Sequence, residues 1–239
     1  MKRGKAFRPA EKRVPKTQAI LIAPSILSAN QSRLAIEARR TERAGAGLLH
    51  VDVMDGKFVP RKNYGVGTVK LLSKATAMPL DVHLMIRHPW LVVKKYAKAG
   101  AASIAVHIEA GSQKQIMQTL KLIKKNGLGA GLAIVPATPA SKVTDAMLEE
   151  CDYLLPMTVV PGYSGQAFMP QVLPKIRILK KRLAALGLNR LLMADGGVNA
   201  ATIKLLARAG VTVFVAGTAT YGAPNLKLAI KSLRKAASK

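Results

Sequence analysis

Cysteine and aromatic residues are scarce in this 239-residue sequence, which has one cysteine, Cys151, and 4% aromatic residues. A single thiol excludes a disulfide framework and any zinc site built from several thiolates. Few aromatic platforms are available for stacking single-stranded bases, and neither zinc-finger spacing nor an RNP-like motif is present. No run approaches the ~18 uninterrupted apolar residues of a membrane-spanning helix. We therefore expect no specific nucleic-acid partner and no transmembrane segment.

Acidic residues are also few. Twelve Asp and Glu stand against 38 Lys and Arg, which gives a formal net charge of +26. So basic a chain attracts polyanions without sequence preference, and we expect nonspecific polyanion affinity. Several of the twelve acids lie in apolar, strand-like runs, where an unpaired carboxylate would be costly. We expect such carboxylates to have a function.

Residues 1–18 differ in composition from the rest of the chain. Seven Lys or Arg accompany one acid, Glu11, and no apolar core of a secretory signal is present. We interpret this segment as a disordered basic tail ahead of a single catalytic domain at 19–239, in a cytoplasmic protein. An organellar transit peptide is the alternative, although the serines usual in such peptides are missing.

Strand-like and helix-like segments alternate eight times from residue 20 onward, with 49% hydrophobic residues in the whole chain. The strand-like segments are near-continuous apolar runs, typical of a parallel sheet buried on both faces. Eight such units in about 220 residues predict an α/β protein with a (β/α)8 TIM-barrel fold. A doubly wound open sheet is the alternative, but it normally has fewer strands and a Gly-rich turn after strand one. The predicted strands are 20–23, 48–54, 80–85, 103–107, 129–134, 153–157, 191–194 and 212–216.

Four residues of metal-ligand type fall at the carboxyl ends of these strands, where active sites of such barrels lie. His50 and Asp52 share one face of the second strand, His83 lies on the third, and Asp195 ends the seventh. Two imidazoles and two carboxylates suit a borderline divalent ion such as Zn²⁺, Fe²⁺, Mn²⁺ or Co²⁺. We expect one such ion per subunit. His107, on the fourth strand, could support this site.

Three methionines, Met54, Met85 and Met157, are predicted near the same strand ends. Isolated methionines are usually ordinary core residues. Beside two acid/base aspartates, however, they would form an apolar wall that holds a flat, carbanion-like intermediate without offering it protons. His88 lies in a loop before Pro89, and we interpret it as a surface residue.

Three consecutive loops are suited to bind phosphate. They contain residues 161–166 after the sixth strand, Gly196-Gly197 after the seventh and Gly217-Thr218 after the eighth. Glycine lets backbone N–H groups approach an anion closely, and helix N-termini add a favourable dipole. Phosphate sites after strands seven and eight recur in this fold, so a phosphate cradle is predicted here.

These motifs resemble those of the ribulose-phosphate 3-epimerase family. The resemblance rests on APSILSA at 23–29, HVDVMDGKFVP at 50–60 and LDVHLM at 80–85, and on residues 136–139, 161–168, 195–199 and 216–219. It implies a TIM barrel of the ribulose-phosphate-binding type that epimerises D-ribulose 5-phosphate at C3 to D-xylulose 5-phosphate. It also implies an isomerase of the pentose phosphate pathway, dependent on a divalent metal and assembled as a homo-oligomer.

The resemblance assigns roles to individual positions. His50, Asp52, His83 and Asp195 match the metal ligands, and Asp52 and Asp195 match the pair that exchanges the C3 proton through a cis-enediolate. Met54, Met85 and Met157 match the pocket wall. The positions that match contacts to the phosphorylated ketose are Ser25, His83, Gly162, Tyr163, Ser164, Gly165, Gly196, Gly197, Gly217 and Thr218.

Some positions depart from the family pattern. Arg61-Lys62-Asn63 replaces the usual Asn and small polar residue, and Ser164 stands where the phosphate loop normally has glycine. A 3-epimerase of a hexulose 6-phosphate, such as allulose 6-phosphate, is therefore an alternative. A catalytically impaired, polyanion-binding barrel is another. A decarboxylase or aldolase of the same barrel group would normally place a lysine among the site acids, and neither strand motif contains one.

Overall fold

Eight parallel strands and nine α-helices alternate along residues 20–238, the part of the chain that this computed structural model describes. The tail predicted for residues 1–18 lies outside the described residues. The strands are β1 Leu21–Pro24, β2 Leu49–Met54, β3 Leu80–Met85, β4 Ser103–His107, β5 Gly129–Ile134, β6 Tyr153–Pro156, β7 Leu191–Asp195 and β8 Val213–Ala216. The helices are α1 Leu34–Arg43, α2 Val66–Ala75, α3 Val93–Ala99, α4 Gln113–Lys125, α5 Asp145–Glu150, α6 Leu173–Ala185, α7 Thr202–Arg208, α8 Thr218–Tyr221 and α9 Leu226–Ala237.

The strands form a barrel in which neighbours in sequence are neighbours in space. Each strand from β2 to β7 pairs in parallel with the strand that follows it in sequence, and β8 pairs in parallel with β1. A parallel bridge from Ser25 to His50 joins the end of β1 to β2 and closes the sheet. An open doubly wound sheet would leave two edges unjoined, so the (β/α)8 TIM-barrel prediction is confirmed.

Strand residues alternate between two apolar cores, because successive side chains of a strand point to opposite faces. Large residues such as Val82 and Ile104 pack beneath the helices, whereas residues such as Ala105 and Tyr153 fill the barrel interior. Gly131 in β5 provides the space for the Tyr153 ring, since a Cβ there would lie 2.2 Å from Tyr153 Cζ. This packing fixes the strand ends that carry the polar residues.

Several predicted element boundaries shift in the structure. The sequence pattern predicts a helix over 30–44, but the segment begins as a 3₁₀ turn, Gln31–Arg33, and α1 starts only at Leu34. Asn30 causes this because its side chain accepts the Ser32 N–H and satisfies the turn locally. The sequence pattern also predicts a short helix over 141–148, whereas the structure forms α5 only after Thr144, which caps its first turn. No described helix has the length and apolarity that crossing a lipid bilayer would require.

Candidate active site

Four ligand-type side chains meet inside the carboxyl end of the barrel. His50 Nε2 lies 3.2 Å from Asp52 Oδ1, and His83 Nδ1 lies 3.1 Å from the same oxygen. Asp195 Oδ2 is 3.8 Å from both imidazole nitrogens. One nitrogen or oxygen of each residue lies within 4.8 Å of those of the other three. A single ion could therefore contact β2, β3 and β7 together.

The donor set fits a divalent cation. His50 Nε2 is buried without a hydrogen-bond partner, although its other ring nitrogen, Nδ1, lies 2.8 Å from Asp81 Oδ2. An unpartnered buried nitrogen is costly unless another group satisfies it. Burial disfavours a charged imidazole, yet Asp52 and Asp81 outweigh this and raise the pKa of His50 well above its usual value. The site therefore favours positive charge, which a divalent ion would supply.

Asp52 and Asp195 have opposite tendencies to bind a proton. Burial opposes ionisation of Asp52, but His50 and His83 outweigh it and hold its pKa well below the usual range. Burial, reinforced by the negative charge of Asp52, raises the pKa of Asp195 to about 7. Two carboxyl groups with such separated pKa values can act as a base and an acid in one reaction.

Ser25 connects β1 to this cluster. Its hydroxyl donates a hydrogen bond to Asp52 Oδ2 at 2.6 Å, which leaves Oδ1 facing the two histidines. Hydrogen bonding to a carboxylate stabilises its charged form. Ser25 thus helps to keep Asp52 ionised and oriented.

A cavity of about 400 Å³ opens above the cluster. His50 and His83 lie beneath it and are fully buried. All the other residues predicted for the site line this cavity: Ser25, Asp52, Met54, Met85, Met157, Gly162, Tyr163, Ser164, Gly165, Asp195, Gly196, Gly197, Gly217 and Thr218. The strand ends and the three late loops therefore share one cavity.

The loops after β6 and β7 pack backbone against backbone. A Cβ on Gly196 would lie 2.9 Å from the Val159 N, and one on Gly197 would lie 2.6 Å from the Phe168 N. Both glycines also have positive φ, at 118° and 61°. Ser164 introduces no such strain, because glycine alone has positive φ within residues 20–238.

Several lining residues were not predicted. Ser28 borders the cavity, and a Cβ on Gly217 would lie 2.4 Å from its Oγ. Val159, Phe168 and Asn199 also border it. Ser28, Phe168 and Asn199 lie within the segments that carried the family resemblance, which was the available signal. Their direction toward the cavity depends on loop conformation, which sequence spacing does not define.

The two remaining histidines differ in environment. His107 is fully buried, and its Nε2 lies 2.8 Å from His83 Nε2, so it contacts a predicted metal ligand. His88 is exposed beside Trp90, in agreement with its predicted surface position.

Solved structures of low sequence similarity share the fold of this chain. KGPDC from Streptococcus mutans aligns with a TM-score of 0.69 at 14% identity, over 92% of this chain and 98% of its own. Thiamine phosphate pyrophosphorylase from Pyrococcus furiosus aligns with a TM-score of 0.63 at 16% identity, over 93% and 97%. At such identities the likeness establishes the fold alone.

Sequence comparison is more specific. Proteins named ribulose-phosphate 3-epimerase are 43% identical in Bacillus subtilis, over 90% of this chain and 98% of theirs, and 41% identical in Escherichia coli, over 92% and 96%. The Synechocystis protein of that name is 42% identical over 90% and 93%. The sequence profile of the ribulose-phosphate 3-epimerase family matches residues 21–221. The chain therefore belongs to the ribulose-phosphate 3-epimerase family.

Proposed function

We propose that this protein is an isomerase that interconverts D-ribulose 5-phosphate and D-xylulose 5-phosphate in the pentose phosphate pathway. The observation that carries the proposal is the pair Asp52 and Asp195, which share one cavity and have opposed proton affinities. Family membership over most of the chain supports the same reaction. Homo-oligomeric assembly remains part of the proposal and is tested by light scattering of the purified protein.

The two aspartates would exchange the C3 proton. Inversion at carbon requires a base on one face of the substrate and an acid on the other. The ionised carboxylate takes the proton from C3 to give a cis-enediolate, and the protonated partner returns a proton to the opposite face. In the reverse reaction the two carboxyl groups exchange roles. A pKa near 7 suits Asp195 for this exchange at neutral pH.

The divalent ion would be held by His50, Asp52, His83 and Asp195. When bound, a divalent ion acts as a Lewis acid that stabilises negative charge developing on substrate oxygens. The mixed nitrogen and oxygen donors are compatible with Zn²⁺, Fe²⁺, Mn²⁺ or Co²⁺.

The rest of the cavity would bind the sugar phosphate. Met54, Met85 and Met157 present apolar surface near the aspartates, which would keep water from the enediolate. The phosphate would be bound by the loops around Gly197 and Gly217, because both glycines line the cavity and glycine lets backbone N–H groups approach an anion closely.

A coupled assay on metal-reconstituted protein tests the reaction. We expect turnover of D-ribulose 5-phosphate that Asp195→Asn reduces by at least about 10²-fold, the lower end of a general acid–base contribution. Asp145→Asn is the matched control, because Asp145 is a surface residue with a 61% exposed side chain. Turnover of allulose 6-phosphate alone would transfer the function to a hexulose 6-phosphate epimerase. No turnover of either sugar by metal-loaded protein would leave an impaired barrel.

One further observation supports the expected polyanion affinity. From Tyr153 to the end of the chain, Asp195 is the single acidic residue, and it is in the cavity. Helices α7 and α9 pack together, and Gly210 after α7 approaches Lys180 of α6. Exposed cations on these three helices are Arg177, Lys180, Lys181, Lys204, Arg208, Lys227, Lys231 and Lys235.

We infer that this surface of α6, α7 and α9 attracts nucleic-acid backbones through charge alone. The logarithm of the association constant for duplex DNA should fall linearly with the logarithm of the salt concentration. Binding should show no sequence preference. Lys181→Glu combined with Lys231→Glu should weaken it more than the same changes at Lys74 and Lys121, which lie on α2 and α4. Equal effects of the two pairs would contradict a localised surface.

A further inference from the structure

A short turn after β1 forms one side of the cavity. It is a 3₁₀ turn, Ile26–Ser28, which we call the β1 turn. Its last residue, Ser28, lines the cavity and lies against Gly217 of the loop after β8, because a Cβ on Gly217 would lie 2.4 Å from Ser28 Oγ. Such turns have poor internal hydrogen-bond geometry. The position of Ser28 therefore depends on contacts from outside the turn.

The hydroxyl of Ser28 is available to a ligand. It forms no hydrogen bond with another residue in the range 20–238. Ser25, at the start of the same turn, lines the same cavity, but its hydroxyl donates to Asp52. A serine hydroxyl has one hydrogen to donate. An anion bound beside Gly217 would provide the acceptor that Ser28 does not have within the described chain.

The side chain of Gln31 holds the β1 turn from its carboxyl-terminal side. Its Nε2 lies 3.2 Å from Ile26 O, 3.1 Å from Leu27 O and 2.7 Å from Ala29 O. Carbonyl oxygens only accept, so the amide nitrogen rather than the amide oxygen must face them. This orientation leaves Gln31 Oε1 on the other side as an acceptor.

Tyr64, in the loop between β2 and α2, provides the donor for that oxygen. Its hydroxyl donates to Gln31 Oε1 and also lies 3.1 Å from Ile26 O. A tyrosine hydroxyl keeps its hydrogen at neutral pH. Neither Tyr64 nor Gln31 is among the residues that line the cavity. The two side chains therefore form a brace, outside the cavity, that connects the loop after β2 to the β1 turn.

We propose that Ser28 donates a hydrogen bond to the phosphate group of the substrate. Tyr64 and Gln31 are positioning residues that hold Ser28 beside Gly217 for this contact. The proposal rests on the proposed function, and it adds one substrate contact and two residues that act through it. The phosphate of D-ribulose 5-phosphate is remote from C3, so the contact is equally strong before and during proton transfer. Its loss should raise KM and leave kcat nearly unchanged.

Ser28→Ala tests the contact itself. A hydrogen bond to a charged group contributes about 1.5 kcal/mol or more, so KM for D-ribulose 5-phosphate should rise about 10-fold or more. Calorimetric titration with inorganic phosphate should show a similar loss of affinity without any turnover. Ser141→Ala, on the exposed surface, is the matched control. A variant with unchanged KM and unchanged phosphate affinity would overturn the contact.

Amide hydrogen exchange tests the brace without substrate. The amides of Ser28 and Ala29 form hydrogen bonds within the β1 turn and report its opening. Loss of a neutral hydrogen bond changes an equilibrium constant about 2- to 10-fold, so both amides should exchange faster by this factor in Gln31→Ala and in Tyr64→Phe. Unchanged exchange in both variants would overturn the brace.

Gln31→Glu isolates the contribution of the amide nitrogen. The carboxylate still accepts from Tyr64, but it directs oxygen atoms instead of N–H groups at the carbonyls of the turn. We expect faster exchange and a KM raised about 2- to 10-fold, as for Gln31→Ala. The controls are Gln118→Ala on α4 and Tyr96→Phe on α3, both outside the cavity. Wild-type behaviour of Gln31→Glu would contradict the role of the nitrogen.

A double-mutant cycle shows whether the brace acts through Ser28. In a Ser28→Ala background, Gln31→Ala should raise KM no further, because the contact that it positions is already lost. Equal increases in both backgrounds would overturn the positioning role and leave the brace a purely structural feature.

Failure of the proposed function gives a different result. Wild-type protein that does not turn over D-ribulose 5-phosphate would refute the reaction, whereas phosphate affinity and amide exchange would still decide the roles of Ser28, Tyr64 and Gln31. Wild-type protein that neither turns over the sugar nor binds inorganic phosphate would overturn both.

Discussion

At the scale of single residues, the immediate neighbours of a side chain determine its tendency to bind a proton. Asp52 and Asp195 have the same side chain and share one cavity, yet their pKa values move in opposite directions because His50 and His83 each place a ring nitrogen within 3.2 Å of Asp52 Oδ1. Ser25 reinforces the difference by donating to Asp52. The chemistry expected of each residue therefore depends on one or two contacts.

Ser25→Ala tests the contact to Asp52. A hydrogen bond to a charged group contributes about 1.5–3 kcal/mol, so its loss should lower kcat/KM by about 10- to 100-fold. Steady-state kinetics on metal-loaded protein provide the measurement, with Ser141→Ala on the exposed surface as control. Equal kinetics for both variants would show that Asp52 does not need this donor.

Cys151 should be chemically inert in the folded protein. It is fully buried, and burial raises the pKa of its thiol to about 12. Since the thiolate is the reactive form, an alkylating agent should label the thiol only after denaturant is added. Mass spectrometry of native and denatured samples measures this, and rapid labelling of native protein would contradict it.

At the scale of elements, the local patterns were predictable and the turns around the site were not. Continuous apolar runs depend on near neighbours in sequence and predicted the eight repeats. Glycine at a helix end is a similarly local feature, and Gly100 after α3 has φ 100°. Helix α8 was missed because four residues show no helical periodicity. The sequence also did not define the hydrogen-bond partners of the His107 ring, because the packed fold brings His83 and Glu109 to its two nitrogens.

The glycine loops allow a sharper prediction. Gly197→Ala and Gly187→Ala each place a side chain at a similar positive φ, 61° and 64°. Only the former brings its Cβ against backbone, because nothing lies within 4 Å of the corresponding position at Gly187. Both should lose about 1–2 kcal/mol of stability from backbone strain. Gly197→Ala should lose more and should also raise KM for the sugar phosphate.

Thermal melts and substrate titrations of the two glycine variants separate the effects. A similar melting temperature and unchanged KM in both would mean that the loops after β6 and β7 can move apart without affecting binding.

At the scale of the whole molecule, charge is poorly balanced. Four ion pairs join a Lys or Arg to an acid within residues 20–238, against a net charge of +26 for the full chain. Most Lys and Arg of the described residues therefore form no ion pair with an acid. This self-repulsion disfavours the compact state.

Salt should accordingly raise the melting temperature. Between ~0.01 and ~0.1 M salt the screening length falls from about 30 to about 10 Å, which weakens repulsion across the surface. Scanning fluorimetry in sodium chloride measures the general effect. Phosphate at the same ionic strength should stabilise the protein further if the cavity binds the anion. A melting temperature that does not change with salt would contradict the first expectation.

The junction between β1 and β2 also has a mechanical consequence. These strands are connected by the Ser25–His50 bridge and by a hydrogen bond from Gly47 N to Ile22 O at 3.2 Å, so the wall of the barrel has a seam. The Ser25–Asp52 bond crosses the same seam. A ligand held by residues of both β2 and β7 would link the strands on the two sides of this seam and stabilise it. Amide hydrogen exchange along β1 would therefore slow when the site is filled. Amide hydrogen exchange in these strands would then report both the occupancy of the site and the integrity of the barrel wall.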